Sequence, residues 1–181
     1  MKKVKDVNDR DRVFLDFTNG DFKGWDVEAF GDVHIKTEGD NYYIGTDEPY
    51  AYNGVQFRKD ILGIEVGRPY RFSISMRSGG AVGSRKMMGL QVILNNNTPG
   101  AHIGLRIELY DDEVKSGEWQ ELKGFVLKRM EGGAGQVWIN TYGYYAIDID
   151  NVSMSLLPED RATVTEQDVT PGIEPVTKFL G

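Results

Sequence analysis

The sequence predicts an all-β protein, built as a two-sheet antiparallel β-sandwich. Apolar side chains alternate with period two over several short segments, and helical spacing appears nowhere at comparable length. Glycine lies between these segments and accounts for 22 of the 181 residues, about 12% against an average near 7%. A chain of this length can bury the core of one such domain.

The expected strands follow from these alternating segments in chain order. The segments lie at residues 13–17, 33–35, 70–76, 90–94 and 103–109. Two further strands are expected at 119–127 and 136–142, because each follows a glycine-containing turn signal. With the last strand and shorter segments, eight to ten strands are predicted, which is enough for a sandwich.

The last strand changes parity along its length. The apolar side chains at positions 147 and 149 share one parity, whereas those at 152, 154 and 156 share the other. All five can face the core only if one extra residue is absorbed near Asp150 and Asn151. We therefore predict a β-bulge at this point.

The alternation also predicts the domain organisation. Residues 13–157 form the expected sandwich, and the charged segment 1–12 is expected to be loosely held. Residues 158–181 contain three of the six prolines and neither Tyr nor Trp, so this segment is predicted to be a tail or linker.

Composition excludes several classes of partner and chemistry. The chain has 28 acidic residues against 21 Lys and Arg, for a net charge of -7, and it has no Cys. The acidic balance argues against a nucleic-acid partner, and the missing Cys excludes disulfides and thiolate zinc sites. No apolar run is long enough for membrane insertion, and no signal peptide is recognised at the start. The compartment stays open: it would be extracellular or the cell surface if the chain were trimmed from a secreted protein.

The sequence contains no recognisable catalytic or transition-metal motif. No nucleophile elbow, phosphate loop or dinucleotide fingerprint occurs, and only His34 and His102 could serve a transition metal. With 28 acidic residues, some pair will match glycosidase spacing by chance. The number of acidic residues therefore does not indicate that the protein is an enzyme.

An ordered set of short motifs carries a resemblance to a known family. The motifs are Asn19-Gly20-Asp21-Phe22 with Gly24-Trp25, then Gly54-Val55-Gln56-Phe57, then 67–77, 117–120 and Ile149-Asp150-Asn151-Val152-Ser153-Met154. In this order, over about residues 13–157, the chain resembles the jelly-roll carbohydrate-binding modules of bacterial glycoside hydrolases. The similarity is to the family four and twenty-two type, within the galactose-binding-like sandwiches. The resemblance implies a jelly-roll fold and non-catalytic binding of a glycan chain in a trough formed by one curved sheet.

Strand parity proposes the residues of the binding face. If Val137 and Ile139 face inward, then alternate residues of the same strand face water with two aromatic rings and two amides. These outward residues are Gln136, Trp138, Asn140 and Tyr142. The matching outward positions on other strands, and one aromatic residue at the rim, are Gln56, Arg77, Gln91, Asn95 and Tyr52.

Alternatives to these assignments stay open. Trp138 belongs to the core if its strand has the opposite register. Arg77 would otherwise pair with a neighbouring carboxylate, and Tyr52 would be an ordinary turn aromatic. Trp25 and Trp119 are expected to be core residues, because the resemblance gives their motif positions a mostly structural role.

The resemblance also implies a structural calcium site. In such modules an acidic residue of the first strand meets the aspartate at the final bulge, because the two terminal strands are neighbours. Asp16 and Asp150 match these positions best. The alternative is that both are ordinary solvated carboxylates.

Three functions follow in order of preference. The first is non-catalytic binding of a polysaccharide or oligosaccharide through a concave sheet face, with further protein modules contacted through the C-terminal tail. The second is a structural or protein-interaction module of a larger assembly, such as a virion appendage or toxin complex. The third is a small polysaccharide-cleaving enzyme.

Overall fold

The computed structural model describes residues 12–15, 17–30, 33–46, 53–60, 64–79, 85–94, 101–130 and 136–156. These residues form eleven strands and two short 3-10 turns, Thr18–Gly20 and Asp111–Glu113. The strands are β1 Arg12–Leu15, β2 Asp26–Phe30, β3 Val33–Glu38, β4 Asn41–Thr46, β5 Asn53–Asp60, β6 Pro69–Ser78, β7 Met87–Leu94, β8 His102–Tyr110, β9 Gln120–Leu127, β10 Gln136–Gly143 and β11 Ile147–Leu156. Among the residues described, no helix has the length and apolar character needed to cross a bilayer.

The strands form two sheets. One contains six strands in the order β3-β4-β11-β6-β9, with β1 also paired to β11. The other contains five strands in the order β2-β5-β10-β7-β8. Neighbouring strands pair antiparallel throughout both sheets. The predicted all-β sandwich is confirmed, with eleven described strands rather than eight to ten.

The core lies between the two sheets and follows the predicted alternation. Phe72, Ile74 and Met76 of β6 are fully buried, as are Phe57 of β5 and the neighbouring Phe17. The rings of the last two lie 6.0 Å apart between centroids. Such aromatic contacts add directional packing to the burial of apolar surface. The sandwich is therefore held together mainly by side chains from alternate strand positions.

The bulge predicted in the last strand is confirmed. The register of β11 against β6 shifts between Asp150 and Ser153, and Asn151 has a φ of 49°. Ile149 and Val152 are both buried on the two sides of this irregularity. The extra residue lets both parities of β11 face the core.

A second bulge, in β8, was not predicted. Val92 of β7 pairs with Leu105, but the next residue, Ile93, pairs with Ile103, so β8 holds Gly104 as the extra residue. A Cβ on Gly104 would lie 3.0 Å from the nearest core side chain. The expectation that Ile103 faces inward with Leu105 is wrong, because the bulge reverses the alternation and leaves Ile103 40% exposed.

The first and last strands lie side by side in one sheet. Arg12 of β1 is opposite Ser155 of β11, and Leu15 is opposite Val152. The expected neighbourhood of the first and last strands is therefore confirmed. The segments predicted to be loose, 1–12 and 158–181, lie outside the described residues, apart from the Arg12 that begins β1.

Candidate functional site

The outer face of the five-stranded sheet carries the candidate site, with β10 at its centre. Val137 and Ile139 of this strand are buried in the core, whereas Trp138 and Asn140 are partly buried on the opposite side. This is the orientation that the alternation predicts. The alternative register, with Trp138 in the core, is wrong.

One polar side chain from each strand of this sheet lies in a single row across it. Asn140 is paired with Gln56 of β5 and Gln91 of β7, and these are paired in turn with Glu28 of β2 and Arg106 of β8. Gln56 Nε2 donates a hydrogen bond to Asn140 Oδ1 over 2.6 Å. Since neighbouring strands lie about 4.8 Å apart, this polar row extends for roughly 19 Å. It offers amide donors and acceptors in the middle and opposite charges at its ends.

Tyr142 lies beside the polar row between two glycines, and it is only 9% exposed, so the prediction that its ring faces water is wrong. It is paired with Gly54 on one side and Gly89 on the other, and Gly89 is paired with Glu108 of β8. The Tyr142 hydroxyl donates to Glu108 Oε1 over 2.7 Å. A Cβ on Gly89 would lie 3.1 Å from the tyrosine ring. The ring therefore lies across β7 at the one position where that strand has no side chain.

The polar row and Tyr142 together bound a groove. Its volume is about 430 Å³, which falls within the range of roughly 300–1,000 Å³ that is usual for small-ligand sites. The polar residues that line it are Gln56, Asn140, Thr141, Gln91, Arg106, Glu108 and Tyr142. Such a lining, with one aromatic ring among amides and a charged pair, suits a ligand that has both hydroxyl groups and apolar faces.

Glu108 is held as a carboxylate by its neighbours. Oε1 accepts from Arg106 Nη2 over 2.7 Å as well as from Tyr142, and Oε2 accepts from Tyr110 over 2.6 Å. Burial on its own raises the pKa of Glu108, but the hydrogen bonds and the Arg106 charge outweigh burial and lower this pKa to about 2. Burial, followed by the hydrogen bond to Glu108, raises the pKa of Tyr142 above its usual 10.0. Glu108 is thus a fixed acceptor near neutral pH, whereas a general acid needs a pKa close to the working pH.

We expect Tyr142→Phe to raise the pKa of Glu108 and to destabilise the fold at pH 7 by about 1–2 kcal/mol, because one charge-assisted hydrogen bond is lost. The pKa of folded Glu108 lies below the ordinary 4.5, so its contribution is complete above about pH 4.5 and falls as the pH approaches 2. The cost of Tyr142→Phe should therefore shrink at pH 2. Carboxyl NMR titration and denaturant unfolding at both pH values measure these effects. Tyr144→Phe is the control, and an equal Glu108 pKa in both variants would refute the expected coupling.

The Trp138 ring is in contact with neighbouring side chains rather than fully exposed. Its indole Nε1 donates to Gln136 Oε1 on the same strand. The guanidinium of Arg58, from β5, lies 5.1 Å from the ring centroid and also pairs with Glu28 at 2.6 Å. On the other side, Trp138 is paired with Ile93 of β7. Arg58 and Ile93 therefore flank the indole on its two sides.

The predicted site residues separate into three groups. Those gathered on the outer face of the five-stranded sheet are Gln56, Gln91, Gln136, Trp138, Asn140 and Tyr142. Tyr52 and Asn95 lie outside the described residues. Arg77 belongs to β6 in the six-stranded sheet, so its assignment to the same face is wrong. Parity indicates that a side chain points outward, but it does not indicate from which sheet.

Arg77 instead forms the centre of a cluster on the outer face of the six-stranded sheet. Its Nη2 lies 2.9 Å from Asp148 Oδ2, and its Nη1 lies 3.1 Å from Glu38 Oε2. The guanidinium carbon is 4.5 Å from the Trp119 ring centroid and 5.2 Å from that of Tyr43. The pairing alternative for Arg77 is therefore the one observed. The expectation that Trp119 is a core residue is wrong, since it packs on this cluster, whereas Trp25 is 5% exposed and belongs to the core as predicted.

Sequence reasoning missed the contribution of β8. Arg106 and Glu108 were not chosen, although they alternate with Leu105, Ile107 and Leu109, which are all buried. The same parity argument that selected β10 residues would have found them. Gly89, which gives Tyr142 its space, has no comparable signal because a glycine in a strand does not show which face is exposed.

The structure describes one of the two predicted calcium ligands. Asp150 is 3% exposed at the β11 bulge, where Oδ2 accepts from Asn41 Nδ2 over 2.9 Å and Oδ1 accepts from the Asn151 amide over 2.7 Å. Asp16 lies outside the described residues. Within the part that is described, no three His, Asp or Glu side chains are grouped to hold a metal. Asp150 could contribute one ligand, and the site stays a prediction.

Comparison with solved structures places this fold among known modules. The chain is similar to the CBM22-2 xylan-binding domain of Paenibacillus barcinonensis Xyn10C, with a TM-score of 0.55 and 12% identity, over 80% of this chain and 99% of that one. It is also similar to the C-terminal family 22 carbohydrate-binding module of Clostridium thermocellum Xyn10B, with a TM-score of 0.54 and 16% identity, over 87% and 99% of the two chains.

A third similar structure is the CBM22-1-GH10 portion of Clostridium thermocellum xylanase 10B, complexed with xylohexaose. The TM-score is 0.51 and the identity 15%, over 77% of this chain and 27% of that one. No protein-family model and no curated protein matches the sequence. These likenesses establish the jelly-roll β-sandwich fold that the motif order predicts.

Proposed function

We propose that this protein is a non-catalytic carbohydrate-binding module, and that it holds a polysaccharide or oligosaccharide across the outer face of the five-stranded sheet. The observation that carries the proposal is the polar row beside Tyr142. Sugars present hydroxyl groups that donate and accept, together with apolar C–H faces. Amides match the hydroxyl groups and an aromatic ring matches the C–H faces. The similar xylan-binding domains support the same class of ligand.

The magnitudes are sufficient for such binding. Tyr142 is only 9% exposed, so the aromatic surface that a ligand can cover belongs mainly to the partly buried Trp138; covering about 50 Å² of it at roughly 25 cal/mol/Å² gives about 1.2 kcal/mol. Two or three net hydrogen bonds to Gln56, Asn140 and Gln91 add about 1 kcal/mol each. A millimolar to micromolar ligand needs about 4–8 kcal/mol, so partial cover of the Trp138 ring together with three amides reaches the millimolar end of this range.

Affinity electrophoresis against a panel of neutral polysaccharides tests the proposal. We expect at least one polysaccharide to retard the protein. Asn140→Ala should weaken binding about tenfold, equivalent to ~1.4 kcal/mol, because it removes the centre of the polar row. Trp138→Ala, at the margin of the groove, should weaken it less.

Glu121→Ala is the matched control, since this exposed residue lies on β9 in the other sheet. The polysaccharide should retard this variant to the same extent as the unaltered protein, each compared with its own migration in a gel without polysaccharide. Failure of every polysaccharide to retard the protein would reject carbohydrate binding and favour an interaction module. Release of reducing sugar from any of them would reject the non-catalytic assignment.

A further inference from the structure

An apolar strip runs along one side of the polar row on the same sheet face. Trp138 of β10 is paired with Ile93 of β7, and Ile93 is paired with Ile103 of β8. Trp138 and Ile93 are partly buried, and Ile103 is 40% exposed. These three side chains form the apolar strip. Same-face neighbours along a strand are about 7 Å apart, so the strip runs parallel to the polar row at about that distance.

The β8 bulge creates this strip. Without the extra residue at Gly104, Ile103 would point into the core together with Leu105. The bulge turns it outward, beside Ile93, onto a face otherwise lined with amides and charges. Bulges are often found next to binding sites, where they re-aim a side chain. An aliphatic side chain exposed in this way cannot hydrogen-bond a hydroxyl group, so it offers an unsubstituted sugar ring only contacts with C–H groups.

The strip also carries no charge of its own. The residue beyond Trp138 in the same row is Arg58, and its guanidinium is paired with Glu28 at 2.6 Å. A small apolar substituent on a ligand in the groove would therefore contact aliphatic and aromatic side chains. It would not need to remove water from an unpaired charged group, because Arg58 is paired with Glu28.

We propose that the apolar strip holds acetyl groups carried by the glycan, so that the site favours an acetylated polysaccharide over the same chain without acetyl groups. This inference rests on the proposed carbohydrate binding. The sugar backbone lies along the polar row, where hydroxyl groups meet Gln56, Asn140 and Gln91. Its acetyl groups reach sideways to Ile93 and Ile103. The recognised chemistry is the acetyl methyl group, whether it is linked through an ester or an amide.

Paired ligands test this directly. Acetylated xylan is compared with the same xylan after mild alkaline removal of its esters, and N-acetylchitohexaose is compared with cellohexaose, using titration calorimetry. We expect tighter binding of the acetylated member in at least one pair, by about fourfold for each methyl group buried. Preference in the first pair alone assigns ester-linked acetyl groups, and preference in the second alone assigns amide-linked ones.

Variants of the strip complete the test. Ile93→Thr combined with Ile103→Thr keeps β-branched side chains on the strands and should remove the preference while leaving binding of the unacetylated ligand unchanged. Val66→Thr alters an exposed valine outside this sheet and should leave the preference intact. Equal binding of both members of each pair would overturn the inference but not the proposed function. An equal loss for both members in the double variant would also overturn it, and no binding of any ligand would instead reject the proposed function.

Discussion

Replacing Gly89 by alanine is expected to lower the free energy of unfolding by about 2–3 kcal/mol and to remove glycan binding, because the added methyl group overpacks a paired strand. Its Cβ would lie 2.6 Å from the Ile107 carbonyl oxygen, 3.0 Å from Glu108 Cγ and 3.1 Å from Tyr142 Cε2. The carbonyl belongs to the neighbouring strand and cannot turn aside. Strand β7 must therefore shift, and the Tyr142 ring must move away from residue 89. This movement breaks the hydrogen bond from the Tyr142 hydroxyl to Glu108.

Denaturant unfolding and affinity electrophoresis measure the two effects of Gly89→Ala. Gly79→Ala is the matched control, since a Cβ there would meet Ala146 at an ordinary 3.4 Å. This control should change the unfolding free energy by about 0.5 kcal/mol or less and should leave binding intact. Equal stability of the two variants would show that β7 tolerates a side chain beneath Tyr142, contrary to the geometry.

Replacing Arg77 by methionine is expected to cost about 2–4 kcal/mol of unfolding free energy, because it leaves a largely buried carboxylate without its main partner. The side chains of Arg77 and Asp148 are only 17% and 16% exposed. After the change, Asp148 would keep Lys36, whose Nζ lies 3.4 Å from Oδ1. Trp119 would also lose the cation stacked against its ring.

Thermal or denaturant unfolding measures this loss, and Arg71→Met on the same strand is the control. Arg71 is exposed, so its replacement should change stability by no more than about 0.5 kcal/mol. Arg77→Lys should lie between the two, since lysine keeps the charge but lacks the planar fork. Glycan binding should survive all three changes under folding conditions, because Arg77 is on the sheet opposite the groove. Equal stability of Arg77→Met and Arg71→Met would refute the role given to this ion pair.

Period-two alternation predicted orientation well where only one sheet face is buried. In β10, Val137 and Ile139 reach the core while Gln136, Trp138 and Asn140 do not, and this was sufficient to find the centre of the candidate site. The parity change around the β11 bulge was equally informative. In both strands the alternation of polar and apolar residues indicates which face is exposed to water, because polar side chains are costly to bury without partners.

The pattern failed where both faces of a strand are covered. In β4 the four residues Tyr43, Ile44, Gly45 and Thr46 are all buried, so no alternation marks this strand. Tyr43 lies beneath Arg77, and a Cβ on Gly45 would collide with Asp148. The ion cluster thus hides one face of the sheet from water, and the sequence of β4 shows no regular alternation of apolar and polar residues.

Long-range pairing was the other part that alternation could not provide. Strand patterns do not indicate which strands are neighbours, so Arg77 was assigned to the wrong sheet. The bulge at Gly104 was also missed, because a single glycine between apolar residues fits regular alternation equally well. Placing these residues required the register of each strand against its partner.

The pairing of β1 with β11 has a mechanical consequence. Because Arg12 is opposite Ser155, a tension applied through the two chain ends would separate this ladder one hydrogen bond at a time, starting from its outermost pair, rather than shearing all its bonds together. Peeling would begin in the sheet that lies opposite the groove. A sugar chain bound as proposed would therefore not stabilise the strands that separate first when the two ends of the domain are pulled apart.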